Sequence, residues 1–253
     1  MRIKSFAIRN MKEILRDPIS YIFCLGFPIV MLLIMTIVNA SIPSQVQMTI
    51  FQIQELAPAI AVFSLTFTML FTCLSVSKDR SSAFLIRLYA SPMKGIDFIL
   101  GYTFPLLLIA IAQCILTFIA SIIIGALTNY TFIIPNLLLA ITVLVPNMLL
   151  FVGFGLLFGT LFNEKAAPGL CSIIISVAGM LGGIWMDVDS LGGGFGRFCK
   201  VLPFYHGVKA ARLAVLGEYA KIGKPLFIVC LYGVLIYLLA VVVFKKKMQE
   251  EIK

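Results

Sequence analysis

Charge is what this sequence has least of. Only 12% of its 253 residues are Asp, Glu, Lys or Arg, about half the ~25% of an average soluble domain. Acidic residues are the scarcest, 11 against 20 basic ones, and histidine occurs once, at position 206. The long apolar runs hold no Asp, Glu, Lys, Arg or His at their centres; Glu55, Asp97 and Glu164 stand at their edges. Secondary transporters and proton-coupled pumps usually bury such groups to bind the driving ion. Their absence argues against ion coupling, with sodium on backbone carbonyls the one route left open. Intramembrane proteolysis needs paired aspartates in the membrane, HExxH, or a Ser/His pair. No such motif surrounds His206, which reads as a capping or interfacial residue. Asp187 and Asp189 read as a solvated turn. The run Gly192 to Arg197, GGGFGR, lacks the GxxxxGK[ST] spacing of a phosphate loop and follows no strand, so it reads as a connector. The six cysteines (Cys24, Cys73, Cys114, Cys171, Cys199 and Cys230) are scattered singly without a CxxC, and all but Cys199 lie in apolar runs. They read as packing residues. No basic patch interleaved with aromatics suggests base stacking, so no nucleic-acid partner is expected. The chain thus shows no catalytic residue, no metal site, no site for ATP hydrolysis and no ion relay. Energy for uphill transport must arrive from another polypeptide.

What is present is apolar. With 61% hydrophobic residues and a mean hydropathy of +1.07, the sequence is that of an all-α integral membrane protein. The basic N-terminus is followed by an apolar run too long for a signal-peptide core, so no cleavable signal is expected. Residues 1–17 form an amphipathic interfacial helix: Ile3, Phe6, Ala7, Met11, Ile14 and Leu15 gather on one side, and Arg2, Arg9, Lys12 and Arg16 on the other. Asp17-Pro18 turns the chain into the membrane. Six spans are expected at 19–40, 56–76, 99–127, 136–162, 168–185 and 225–244, with Pro28 kinking the first and Pro146 inside the fourth. Residues 77–98 form a loop on one side and 186–224 a long Gly-rich segment on the other.

Lys and Arg placement orients the chain. The N-terminal helix, 77–98, the Asn163 turn and the C-terminal tail are basic and share a side, whereas the first two loops opposite have no Lys or Arg. Both termini are therefore expected in the cytoplasm, and the net charge of +9 is explained by flanks meeting anionic lipid. The exception is 186–224, which carries Arg197, Lys200, Lys209, Arg212, Lys221 and Lys224 although the span count places it outside.

Everything is organised around the charged stretch from Ser77 to Tyr102. It carries Lys78, Asp79, Arg80, Arg87, Lys94 and Asp97 between apolar runs, and so belongs in water or headgroups. Asp79 or Ser81 is a candidate N-cap for a short helix in which Phe84 and Leu88, and Leu85 and Tyr89, pair at i,i+4 before Pro92 stops it. Such a helix, tied at both ends to spans, has the shape of a lever.

Three stretches carry a resemblance. The first is Leu15-Arg16-Asp17-Pro18 with Gly26-Phe27-Pro28. The second is Asp79-Arg80, Leu85 to Leu88, Ser91-Pro92 and Leu100-Gly101. The third is Gly182 to Trp185 with Leu202 to Tyr205 and Ala211-Arg212. In this order and spacing the chain resembles the ABC-2-type permeases, the membrane subunits of ATP-binding-cassette exporters with the type V architecture. The resemblance covers nearly the whole of residues 1–253. It implies an elbow helix at the N-terminus and a coupling helix, Ser81 to Ser91, that docks into a cytoplasmic ATPase. Ser81, Phe84, Leu85, Arg87, Leu88, Ser91 and Pro92 are its candidate contacts. It implies a second permease copy, identical or a sister subunit, and a central path lined by Phe63, Thr66, Phe67 and Leu70 of the second span and Ile174, Val177, Met180 and Leu181 of the fifth. It also implies that Leu202 to Arg212 forms short helices at the outer mouth. ATP and Mg would be used by the partner ATPase, with no cofactor bound by this chain. The expected cargo is a hydrophobic or amphipathic drug, antibiotic or peptide, in a bacterial cytoplasmic membrane. A polysaccharide or lipid-linked glycan exporter is the alternative within the family, and a channel, ion-coupled carrier, membrane anchor or sensor the alternative outside it.

Overall fold

A computed structural model describes residues 2–18, 22–43, 48–82 and 95–251. They form α1 (Arg2–Ile14), α2 (Phe27–Ser41), α3 (Ile53–Ser81), α4 (Gly95–Leu127), α5 (Ile134–Leu161), α6 (Ala167–Leu181), α7 (Gly193–Cys199), α8 (Pro203–Leu216) and α9 (Gly223–Glu251), with no strand among the described residues. Five segments are long and apolar enough to cross a membrane: 22–41, α3, α4, α5 and 223–247. α6 has 15 residues, about 22 Å at 1.5 Å each, short of a ~30 Å hydrocarbon core.

The helices depart from the expected spans mostly by being longer. Backbone groups near a bilayer must bond internally, so a helix continues until water or side chains can satisfy its ends. α3 runs five residues past Val76 through Lys78, Asp79 and Arg80, and α9 continues through Lys245, Lys246 and Lys247. Pro28 lies inside the first span, 22–41, directly after the π-helix Ile22–Gly26, so the helical irregularity falls on the turn before the proline. Pro58, Pro105 and Pro146 lie inside α3, α4 and α5.

α3 is the hub, packed against α2, α4, α5, α6 and α8, and nearly all of its residues from Leu56 to Met69 are buried. Two glycines bring α5 onto it. A Cβ on Gly155 would lie 2.5 Å from the Met69 carbonyl oxygen, and one on Gly159 2.6 Å from that of Cys73. This is the small-xxx-small packing of membrane helices, in which missing side chains let backbones meet. A polar link joins α3 to α4: Thr68 Oγ1 donates to Gln113 Oε1 at 2.8 Å, and Gln113 Nε2 donates to the Ser64 carbonyl at 2.7 Å. All three are fully buried, and a satisfied amide contributes about 0.6 kcal/mol in such a setting.

The bundle has two polar ends. At one, α1 lies against the C-terminal turn of α3 and the start of α4, Phe98 of α4 meets Phe244 of α9 at a centroid distance of 5.7 Å, and Arg80 reaches the last carbonyls of α5. The N-terminal helix, both roots of 83–94, the Asn163 turn and the end of α9 therefore gather on one side, as charge placement predicts. At the other end Arg212 pairs with Glu55 and Asn136 Nδ2 donates to the Val215 carbonyl.

The basic segment 186–224 is not a free loop. α8 runs antiparallel along α5: Phe204 stacks on Phe151 at 5.8 Å, Gly207 meets Asn147, and Val215 meets Asn136. Its first turn thus lies midway along α5, and the segment reaches from this end into the bundle before α9 begins. A Cβ on Gly207 would sit 2.2 Å from Asn147 Nδ2, so any larger residue there would displace the Asn147 side chain.

Candidate functional site

The charged stretch is organised by residues outside it. Asp79, whose side chain is 7% exposed, takes a bidentate grip from Arg9 of α1 (Nη1 to Oδ2 2.7 Å, Nη2 to Oδ1 3.0 Å) and a hydrogen bond from Tyr102 Oη of α4 at 2.7 Å. One carboxylate therefore ties three helices together. A fork-to-fork arginine pair is among the strongest protein hydrogen bonds, and Tyr102 adds a second donor to Oδ2, the oxygen that Arg9 Nη1 also binds. Burial works against the Arg9 charge, but Asp79 and then Glu13, 2.8 Å away, outweigh it and raise its pKa. Asn10 Nδ2 donates to the Gly101 carbonyl at 3.2 Å, and Phe6 packs edge-on to Phe98 and Tyr102. A Cβ on Gly101 would fall 2.2 Å from the Phe6 ring, so glycine sets the depth at which α1 seats.

Two expectations change here. Asp79 and Ser81 do not cap a following helix. They lie in the last turn of α3, where Ser81 Oγ donates back to the Lys78 carbonyl and Ser82 Oγ to that of Asp79. Arg9 and Tyr102 hold Asp79 within α3, which removes the reason for a cap. The face of α1 also differs from its wheel. Phe6 and Asn10 are buried within the protein, and Arg9, assigned to the basic side, turns inward to Asp79.

Arg80 completes this end. Its Nη1 donates to the Gly159 carbonyl at 3.0 Å, and also to that of Thr160, so the cation meets the unpaired carbonyls at the C-terminus of α5. Both roots of the 83–94 segment are thus held by charge-assisted bonds. The expected ATPase contacts Phe84, Leu85, Arg87, Leu88, Ser91 and Pro92 lie outside the described residues.

The expected path residues are dispersed. Phe63 and Phe67 are buried in an aromatic cluster with Phe27 of α2, 4.8 Å from Phe67, and Trp185, 5.2 Å from Phe63. Thr66 is fully buried and spends its hydroxyl on the Phe63 carbonyl at 2.6 Å. Leu70, Ile174, Val177 and Leu181 are half-buried, and Met180 is exposed at 56%. None of the eight lines the cavity of about 480 Å³ that opens beneath α1.

At the other end, Asp189 accepts from Tyr205 Oη at 2.6 Å and pairs with Lys200 at 3.2 Å and Lys209 at 3.4 Å, while Asp187 Oδ1 accepts the backbone N–H of Asp189 at 3.1 Å. Partial burial pushes the Asp189 carboxyl up, but Tyr205, Lys200 and Lys209 outweigh it and hold it below its usual value. His206 Nε2 lies 2.8 Å from the Lys200 carbonyl at the C-cap of α7, the capping role expected of it, and burial keeps its ring below the usual histidine range. Four of the six cations that break the charge rule have acidic partners: Lys200 and Lys209 share Asp189, Arg212 pairs with Glu55 and Lys221 with Glu218.

Sequence reasoning missed Gln113 and Asn147, uncharged polar groups buried in spans, and the Gly155/Gly159 pair. The glycine pair has a readable signal in its GxxxG spacing. No curated protein matches the chain. The model of the ABC-2 type transporter family matches residues 1–216, a region that holds the Arg9–Asp79–Tyr102 clamp, the α3–α5 contact and the inward-dipping α8. This multi-pass membrane protein belongs to the ABC-2 type transporter family, whose members are membrane components of ABC transporters.

Proposed function

We propose that the chain is the permease subunit of an exporter for hydrophobic or amphipathic compounds, driven by a separate ATPase that docks on Ser81 to Ser91. The observation that carries this reading is the clamp. Asp79 joins α3 to α1 and α4 at the roots of the charged segment, so force applied between residues 82 and 95 would reach three helices as one body. The Gly155 and Gly159 contacts would pass it on to α5. In this reading the clamped end and both termini face the cytoplasm, and α1 is the elbow helix. The chain crosses six times, the fifth crossing being made by α6, about 22 Å long, together with the residues that follow it.

A second permease copy fits the exposed face of α6, where Ser172, Ile173, Ser176 and Met180 have no cover within the described residues. The path would form between α3 and α6 of the two copies. Its apolar lining, with hydroxyls and no fixed charge, favours amphipathic cargo over polysaccharide. The test is purification of the chain from native membranes. An ATPase should co-purify, and replacing that ATPase's catalytic glutamate should stop transport. Uphill accumulation by the lone chain in liposomes would overturn the reading.

A further inference from the structure

The cavity beneath α1 has two chemistries along one axis. At its mouth stand Glu13, Arg16, Asp17, Lys78, Asp79 and Glu164; at its base are Ile14, Phe71, Leu74 and Leu106. From Lys78 to Phe71 is seven residues of α3, about 10 Å, which is the step from headgroups to acyl chains. A second, smaller cavity shares Ile14, Phe71 and Leu106 and continues to Cys24 and Leu25 in the π-turn. The cleft is therefore polar at the end of the bundle and apolar further in. Its volume of about 480 Å³ lies in the range of roughly 300–1,000 Å³ usual for small-molecule sites.

The charges at the mouth are unevenly committed. Asp79 is held by Arg9 and Tyr102, and Glu13 by Arg9. Among the described residues no ion pair engages Arg16, Lys78 or Glu164. With Asp79 and Glu13 held by Arg9, the lining leaves Arg16 and Lys78 beside Asp17 and Glu164, two cations and two carboxylates, a balance that suits a ligand of no net charge. It suits one that presents an anion to Arg16 and Lys78 and a cation to Glu164. A primary ammonium can donate to a carboxylate, whereas a trimethylated one cannot.

We propose that this cleft binds a zwitterionic phospholipid with a primary-amine headgroup, its phosphate between Arg16 and Lys78, its ammonium on Glu164 and its acyl chains along Phe71, Leu74 and Leu106. The headgroup lies beside Asp79 and Tyr102, which line the same cavity. Lipid occupancy therefore stiffens the clamp and makes the set of the 83–94 roots depend on membrane composition. This site is separate from the proposed export path, whose residues do not line it.

The experiment is native mass spectrometry of the purified full-length chain with short-chain phosphatidylethanolamine, phosphatidylcholine and phosphatidylglycerol, and with free phosphoethanolamine. The ethanolamine lipid should bind about tenfold more tightly than the other two, the equivalent of one charge-assisted hydrogen bond. Lys78→Gln should weaken the ethanolamine and choline lipids alike. Glu164→Gln should erase the preference between them. Ser75→Trp, which fills the cavity and leaves every charge in place, should remove bound lipid. If that variant fails to fold, the two exposed charge variants carry the test. Equal binding of the three lipids, tightest binding of phosphatidylglycerol, phosphoethanolamine binding as strongly as the lipid, or preferences unchanged in Lys78→Gln and Glu164→Gln would each overturn the proposal.

Discussion

Arg9 grips Asp79 across 70 positions of sequence, with bonds of 2.7 and 3.0 Å, and so fastens an interfacial helix to the end of the central one. Removing one partner of a buried pair leaves the other uncompensated. Arg9→Ala should therefore destabilise the protein by about 3 kcal/mol, and Tyr102→Phe by about 1 kcal/mol. Replacing both charges at once, Arg9→Met with Asp79→Leu, should recover much of the loss. Thermal unfolding in detergent across the double-mutant cycle checks this, and additive single losses would show that the pair is not coupled.

The α3–α5 contact depends on two absent side chains. Gly155→Leu or Gly159→Leu should each cost about 1–3 kcal/mol by overpacking, since the Met69 and Cys73 carbonyls occupy the space a Cβ needs. Gly233→Ala should be neutral or stabilising, because its nearest neighbour is the Pro146 carbonyl at 4.0 Å. The order of melting temperatures decides between these outcomes.

The segment 186–224 should be acid-sensitive in two steps. His206 has its pKa lowered from 6.5 by burial, so the fold favours the neutral ring. That contribution is complete above pH 6.5 and is lost as pH falls below it. Asp189 has its pKa lowered from 3.8 by Tyr205, Lys200 and Lys209 acting against burial, so its contribution is complete above 3.8 and is lost as pH falls further. His206→Gln should flatten the first step and Asp189→Asn the second, read as unfolding midpoint against pH.

Arg87→Glu or Leu88→Asp should leave the protein in the membrane and remove substrate-dependent stimulation of the partner ATPase. Unchanged stimulation in both variants would remove the coupling role from Ser81 to Ser91 while leaving the clamp intact.

Much of the fold was legible because burial in a bilayer is a local property. Apolar runs found α2 to α5 and α9, and charge placement found which ends share a side. Helix ends were less legible. Val76 looks like the end of a span, because Lys78, Asp79 and Arg80 are costly in hydrocarbon. They remain helical because Arg9, Tyr102 and the α5 carbonyls meet them. The wheel of α1 misplaced Arg9 for the same reason: a wheel assigns faces from hydropathy and knows nothing of a carboxylate on another helix. Of the six basic residues in 186–224 that run against the orientation rule, four stand beside Asp189, Glu55 or Glu218, contacts that no local pattern foretells.

The order of residues alone determined that the chain lies in a membrane and that one charged stretch must leave it, and it contains no GxxxxGK[ST] spacing. Those conclusions rest on transfer free energies and motif spacings, which belong to single residues and short windows. Only the tertiary structure decided that Asp79 faces Arg9 and Tyr102, that Gly155 and Gly159 admit the α3 backbone, and that α8 dips along α5. Each of these depends on the register between helices far apart in sequence, which packing sets and no local pattern encodes.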